Sequence, residues 1–337
     1  MLSVEQIKKL ALDRGYAALV DNYTTRSETW RQVFTDVQVP TAENMTDFPF
    51  GHRAVGVVGL GEMRKVTSGE RIEEDTVAEG YTRQTANPMI ATKMTIDGEL
   101  LKTRNAEVII TGQVIDFARR AAMSASRYKN NLIAGMMQKG TLAAGSVDFF
   151  DQRYRGESDA NLGFIYDGKP WFAATGNAHP FKAYTAAGAE GVNLTASALL
   201  STTTLNDAYT IQTSTNAKDE RGQNIDVMSS KLVVGTANRQ TAIAVCESEL
   251  LPGSGNNDRN SYAGLIEPIV FSDLTDDADA WWLFADDGGL KIYDSGIPEI
   301  VVRADEDRRL VILEAKYYFG ASVKDWRYGY CANKATT

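Results

Sequence analysis

The chain has 337 residues, 43% hydrophobic and 23% charged, a globular composition long enough for two domains or for one with large excursions. Acidic residues number 44 against 35 basic ones, a formal net charge of −9 with no basic run, which argues against a protein that coats nucleic acid through clustered lysine and arginine. No apolar run approaches a membrane span, Glu5, Lys8, Lys9, Asp13 and Arg14 break any signal-peptide core, and Cys246 and Cys331 stand far apart without a CxxC pattern, as in a chain of a reducing compartment.

Ser3 with Gln6 reads as a capping box, and Val4, Ile7, Leu10, Ala11, Ala18 and Leu19 then line one face of a helix. Over residues 21–51 the periodicity is lost: Trp30, Val33, Phe34, Val37, Val39, Phe48 and Phe50 are scattered among polar residues with Pro40 and Pro49. So much apolar area without a pattern predicts an arm that lies on other segments or subunits and is loosely held until it does. Residues 52–97 read as a long β-hairpin, with Ile90, Met94 and Ile96 on one strand face and a turn at Thr67–Glu70. An isolated hairpin is marginal in water, so this one needs a partner surface, on this chain or a neighbour.

The stretch Thr103–Gly140 has no proline and is rich in good helix formers. Val108, Ile115, Ala118, Ala122, Ala125, Lys129, Leu132 and Met136 recur every three, four or seven residues, an apolar stripe on which the Lys129 stem can lie flat. With Asn105 as N-cap and Gly140 as C′ residue, this predicts a spine helix over 104–140, roughly 50 Å long. Phe164–Phe172 reads as two short strands around an Asp-Gly turn, and 173–195 as a loop. A helix is expected over Ser197–Thr213 with Leu200, Ala208 and Ile211 on one side, a charged loop at Ala217–Asn224, and a strand at Lys231–Gly235. Asn238 is placed to cap a helix that buries Ala242, Val245 and Cys246, and Leu251–Tyr262 reads as an exposed loop. Strands follow at Ile269–Phe271, Trp281–Phe284, Glu299–Arg303 and Leu310–Tyr318, with a last one in Ser322–Cys331 carrying Trp326, Tyr328 and Tyr330 on alternate positions.

Chemistry is hard to find in this chain. Gly56-Val57-Val58-Gly59-Leu60-Gly61 resembles a dinucleotide-binding turn, but Arg64 stands where the third glycine belongs and Lys65–Gly69 breaks any helix at once. A glycine-bearing strand is the better reading. His52 and His179 make no zinc spacing with the cysteines, and His179 has no nucleophile or paired acid near it in sequence, so it reads as a loop histidine. Asp273, Asp276, Asp277 and Asp279 lack the glycine and terminal glutamate of a calcium loop and read as a solvated turn. Arg119, Arg120, Arg127 and Lys129 could form a local basic patch, read as subunit contacts or solvated faces. No catalytic, cofactor-binding or metal-ligating residue is assigned, and no cofactor is expected.

The order arm, extended loop, spine and mixed α+β remainder resembles the tailed-bacteriophage major capsid proteins of the Hong Kong 97 fold. The similarity is carried by FIYDGKPWF at 164–172 with Ala178-His179-Pro180, and by the run Ser230–Asn333 with its segments KLVVGTANRQTAIAVCES, IEPIVFSDLTDDADAWWLFAD and IPEIVVRADEDRRLVILEAKYYFGASVKDWRYGYCANKA. The resemblance implies an N-terminal arm at 1–51 kept in the mature shell, an extended loop at 52–97, and a peripheral domain at 98–185 holding the spine. It further implies an axial domain at 186–304 and a return to the peripheral domain at 305–337. The implied function is an icosahedral shell of pentamers and hexamers enclosing packaged double-stranded DNA held non-specifically. A separate scaffolding protein, a portal, assembly in the host cytoplasm and residence in the virion follow, without a membrane. A cargo-storing shell of the same fold and an oxidoreductase built on the Gly56–Gly61 turn are the rival readings.

Overall fold

The computed structural model describes residues 4–26, 28–39, 52–58, 78–85, 87–97, 99–141, 165, 167–181, 190–219, 222–250, 258–275, 278–305 and 310–334. In chain order the N-terminal part holds α1 (Val4–Leu10), α2 (Tyr16–Thr24), α3 (Trp30–Val33), β1 (Val37–Gln38), β2 (His52–Val58), β3 (Ala78–Thr85) and β4 (Met89–Asp97). Next come α4 (Ala106–Gln138), β5 (His179–Pro180), β6 (Glu190–Gly191), β7 (Leu194–Thr195), α5 (Thr202–Thr210), β8 (Ser229–Val234) and α6 (Arg239–Glu247). The chain ends in β9 (Glu267–Val270), β10 (Trp281–Ala285), β11 (Leu290–Asp294), β12 (Glu299–Asp305), β13 (Leu310–Val323) and β14 (Gly329–Ala332). The α+β class expected from the pattern is what forms.

The spine is α4, 33 residues and so about 50 Å long. From Ala118 onward it buries the expected stripe at Ala118, Ala122, Ala125, Lys129 and Met136, with Leu132 half-buried. The first turns do not follow it: Val108 is 76% exposed, Ile115 is half-buried, and Ile110 and Val114 are buried instead. The reason lies outside the helix, since α1 and α2 cover that side with Ile7 and Leu19. Gly15 makes the approach possible, because a Cβ there would stand 2.8 Å from Val114 Cγ1. Asn105 occupies the N-cap position but its side chain accepts no cap hydrogen bond. Gly140 serves close packing rather than a left-handed cap: a Cβ would meet the Phe172 ring at 2.6 Å.

Residues 28–38 depart from the loosely held arm. Trp30, Val33 and Phe34 are fully buried in this chain's own core, Trp30 edge-on to Phe319 at 5.7 Å and Phe34 to Phe284 at 5.1 Å. Their spacing carries no period because they fill a core built by distant strands rather than one face of their own element. Phe48 and Phe50 lie outside the described residues.

The hairpin expectation splits in two. β2 and β3 pair antiparallel from His52 with Thr85 to Val58 with Ala78, with a register irregularity between Val55 and Val57 at which Gly56 stands opposite two residues of β3, Gly80 and Tyr81. Gly59, Gly61, Arg64 and the turn Thr67–Glu70 lie outside the described residues. β4 instead joins the chain's own sheet, pairing with β13 from Met89 with Tyr318 to Asp97 with Leu310. Ile90, Met94 and Ile96 therefore do share a face, turned towards this subunit's core.

Two sheets organise the rest. In the first, the 14-residue β13 is lined by β11 at its end and β12 at its start on one side, and by β4 on the other; β1 adds to β11 in parallel. The second runs β7-β14-β10-β8-β9, with α5 and α6 packed through Leu205, Ala208, Ala242, Val245 and Cys246. Ser201 and Thr204 cap α5 reciprocally, so the helix starts at Thr202, later than the Ser197 expected. The Phe164–Phe172 strands do not form: Ile165 and Lys169 close a turn through Gly168, whose φ is +73°, and Phe164 and Tyr166 lie outside the described residues. Nor is Ser322–Cys331 one strand, since a 3-10 turn at Trp326–Tyr328 separates β13 from β14.

Candidate functional site

Among the described residues, two buried polar clusters and several surface features are candidates. In the first cluster His179, fully buried, holds Asp167 Oδ2 through Nδ1 at 2.6 Å and the Trp171 carbonyl through Nε2 at 3.2 Å. Its ring stacks on Trp326 at 4.4 Å and 8°. No paired acid stands close to His179 in sequence. The structure supplies one, Asp167, from the turn of the FIYDGKPWF segment. Both ring nitrogens are engaged and no solvent reaches the ring, so the dyad ties that turn to β5 and has no nitrogen left for a substrate. Asn193 works beside it, taking the Ala173 N–H at 2.7 Å and donating to the carbonyls of Trp171, Trp326 and Gly329.

The second cluster surrounds Lys129, which sits in the apolar stripe of α4 with no exposure at all. Its ammonium donates to Asp294 Oδ1 at 2.6 Å, to the Tyr23 hydroxyl and to the Gly296 carbonyl, with the rings of Tyr23, Tyr317 and Phe319 around it. Arg31 bridges Glu28 and Asp294, each at 2.6 Å. Burial pushes the Lys129 ammonium below the usual lysine range, against the pull of Asp294 and Glu28. Burial and the same two carboxylates push the Tyr23 phenol well above its usual range. Two cations and two carboxylates balance, which is what such a site requires. A lysine in an apolar stripe was the readable signal; its partners, from three distant segments, were not readable.

The surface features yield no reaction centre. Lys129 is inside, so the four-residue basic patch is not formed, and Arg120 is paired with Asp116 at 2.8 Å. Burial raises the Asp273 carboxyl and Arg127 lowers it, which sets the acidic turn against the spine; Asp276 and Asp277 lie outside the described residues. Cys246 and Cys331 are free and buried, and burial pushes the Cys246 thiol up to about 12, the opposite of an activated nucleophile. An open groove of about 840 Å³ between the starts of α5 and α6 is lined by Leu200, Thr202, Arg239 and Thr241, without an acid–base pair. Among the described residues no group of three or more His, Cys, Asp and Glu could hold a metal ion, and no helix is long and apolar enough to cross a membrane.

Comparison with solved structures finds low-identity similarity over most of the chain. The capsid of a native GTA particle is 16% identical, covering 91% of this chain and 90% of that one, with a TM-score of 0.43. The capsid of Ralstonia phage GP4 is 12% identical over 81% and 79%, TM-score 0.46, and a chain of Mycobacterium phage Patience 10% identical over 98% and 88%, TM-score 0.46. No curated protein sequence matches. The sequence model of the phage capsid protein family, however, matches residues 102–332, from the start of the spine through the last strand of the second sheet. That span is more than half of the 337 residues and takes in nearly all of the quoted segments that carry the capsid resemblance: the chain belongs to the phage capsid protein family.

Proposed function

We propose that copies of this capsid protein associate as pentamers and hexamers into an icosahedral shell around packaged double-stranded DNA. The observation that carries this is the family match over 102–332, which takes in the spine, the whole second sheet and β11, β12 and β13 of the first. The β2–β3 ribbon supports it: no third strand pairs with that ribbon among the described residues, so its open edges are suited to a neighbouring subunit. The work of the protein is association, with no reaction at its centre. Its net charge of −9 suits a shell that holds DNA weakly and without sequence preference. A separate scaffolding protein and a portal would complete assembly in the host cytoplasm before the shell becomes the virion.

The first sheet with α4 is the peripheral part of this reading, and the second sheet with α5 and α6 the axial part. Strand pairing favours counting 290–305 with the peripheral part and 329–332 with the axial part, a shift from the boundaries drawn on sequence. Negative-stain micrographs of the purified chain, alone and with its scaffolding protein, test the proposal. Closed hollow particles are expected, and a protein that stays monomeric in both would overturn it. Deleting Val66–Tyr81 tests the ribbon: a folded subunit that forms no closed shells is expected, and normal particles would remove the ribbon from the assembly surface.

A further inference from the structure

The cluster around Lys129 is a closed ring. Lys129 spends its three protons on Asp294, Tyr23 and the Gly296 carbonyl. The Tyr23 hydroxyl, having accepted from Lys129, donates onward to Glu28 Oε1 at 2.9 Å. Arg31 takes the other oxygen of Glu28 and the other oxygen of Asp294, which returns the circuit to Lys129. The five side chains come from the last turn of α2, the link to α3, α3 itself, the spine, and the end of β11. Glu28, Lys129 and Asp294 are buried, and Arg31 lies on the solvent side with its side chain 42% exposed.

The ring marks a boundary in burial. Downstream, Trp30, Val33 and Phe34 are fully buried. They are reinforced by Lys231 donating to the Val33 carbonyl at 2.9 Å, by Ile292 N–H to the Asp36 carbonyl at 2.9 Å, and by β1 lying along β11. Upstream, the fully buried apolar side chains among the described residues of α1 and α2 are Ile7 and Leu19. The side-chain hydrogen bonds of Asn22, Thr24 and Thr25 reach only carbonyls of their own helix, and a π-turn at Ala11–Gly15 interrupts the helix between α1 and α2. Leu10, Ala18 and Tyr23 are half-buried beside Ile7 and Leu19, and a segment held mainly at such points is the kind that opens locally while the rest of a protein stays folded.

We propose that the Tyr23–Glu28–Arg31–Lys129–Asp294 ring is a clasp controlling a local opening of residues 4–24. Closed, it holds α1 and α2 on the spine; broken, it lets them lift from Ile110 and Val114 while residues 30–38 and both sheets stay in place. The clasp thereby decides whether that apolar face of the spine is covered by the subunit's own helices. This inference stands on the geometry of the single chain and does not rest on shell formation.

Amide hydrogen exchange of the free subunit tests it, using the original chain with Lys129→Met and Arg31→Met. Lys129→Met keeps the aliphatic stem and leaves Arg31 as the single cation of the ring against two carboxylates; exchange over 4–24 is expected to rise roughly a hundredfold. Arg31→Met breaks the ring on its solvent side, where folding is least at risk, and about a tenfold rise is expected. In both, residues 229–234, 281–285 and 310–323 should exchange as in the original chain. Exchange that rises equally in those strands would make the ring an ordinary part of the global core and overturn the proposal, as would an unchanged 4–24. A charge-balanced Lys129→Met/Asp294→Asn double variant should remain open over 4–24. Full recovery of protection in it would show that an unpaired charge, and no clasp, caused the opening. Should Lys129→Met fail to fold, the Arg31→Met outcome decides alone.

Discussion

β10 and the first half of β13 are both interior strands paired on two sides, yet they are built on opposite plans. Trp281–Ala285 is buried at every position: Trp282 and Phe284 enter the core shared with α3 and Trp171, while Trp281 and Leu283 enter the core under α5 and α6. Leu310–Tyr318 alternates strictly, with Val311, Leu313, Ala315 and Tyr317 inward and Leu310, Ile312, Glu314, Lys316 and Tyr318 half-exposed. The difference teaches that the second sheet is covered on both faces, whereas the first has one face wet, where ion pairs such as Arg303–Glu314 at 3.3 Å stand.

The comparison breaks most readily at Trp282. Trp282 is fully buried in the core shared with α3, so truncation to alanine leaves a cavity there, and a loss of about 3–5 kcal/mol is expected from urea unfolding of the free subunit. A loss below roughly 1 kcal/mol, the range of surface positions, would mean β10 is not closed on both faces. On β13, Leu313→Ala on the inward face should cost about 2–5 kcal/mol by the same measurement, because Leu313 is fully buried against the spine side.

Alkaline pH probes both sheets together. Burial raises the phenols of Tyr317 on β13 and Tyr330 on β14 above their ordinary value of 10.0, along with Tyr23, Tyr128, Tyr262 and Tyr328. The folded chain keeps these protons where the unfolded chain releases them. Their stabilising contribution is therefore whole below about pH 10 and falls as pH rises towards the folded values. Lys129 and Lys231, both lowered by burial, act in the opposite direction, but two lysines against six tyrosines leave the net effect destabilising. Thermal midpoints should fall steadily above pH 10; a rise would mean the lysines dominate.

Smaller effects sharpen the contrast. Ile312→Thr, on the wet face beside Leu313, should cost less than Leu313→Ala, about 1 kcal/mol, since its side chain is only partly buried and threonine keeps the β-branched shape. Arg303→Ala removes an exposed ion pair and should change stability by about 0–1 kcal/mol, a change that disappears at high salt. A large loss at either position would show that the outer face of β13 is covered within the free subunit.

What the sequence by itself determined is what is encoded locally. The spine, the α6 helix burying Ala242, Val245 and Cys246, and the alternation of Leu310–Tyr318 were legible because period and strand pattern are properties of neighbouring residues, whereas Asn105 and Asn238 take their N-cap positions without the side-chain cap hydrogen bond expected of them. The family was legible because the order of such elements survives where single motifs do not. Tertiary structure decided the rest. It turned β4 from a hairpin arm into a strand of the subunit's own sheet, through nine residues of pairing with β13 that no local pattern announces. It drew Trp30 and Phe34, aperiodic in sequence, into a core assembled by strands some 250 residues away. And it gave Lys129 and His179 their meaning, because a buried charge or ring is held by acceptors that only folding brings near: Asp294 across 165 residues for Lys129, and Asp167 across the turn for His179.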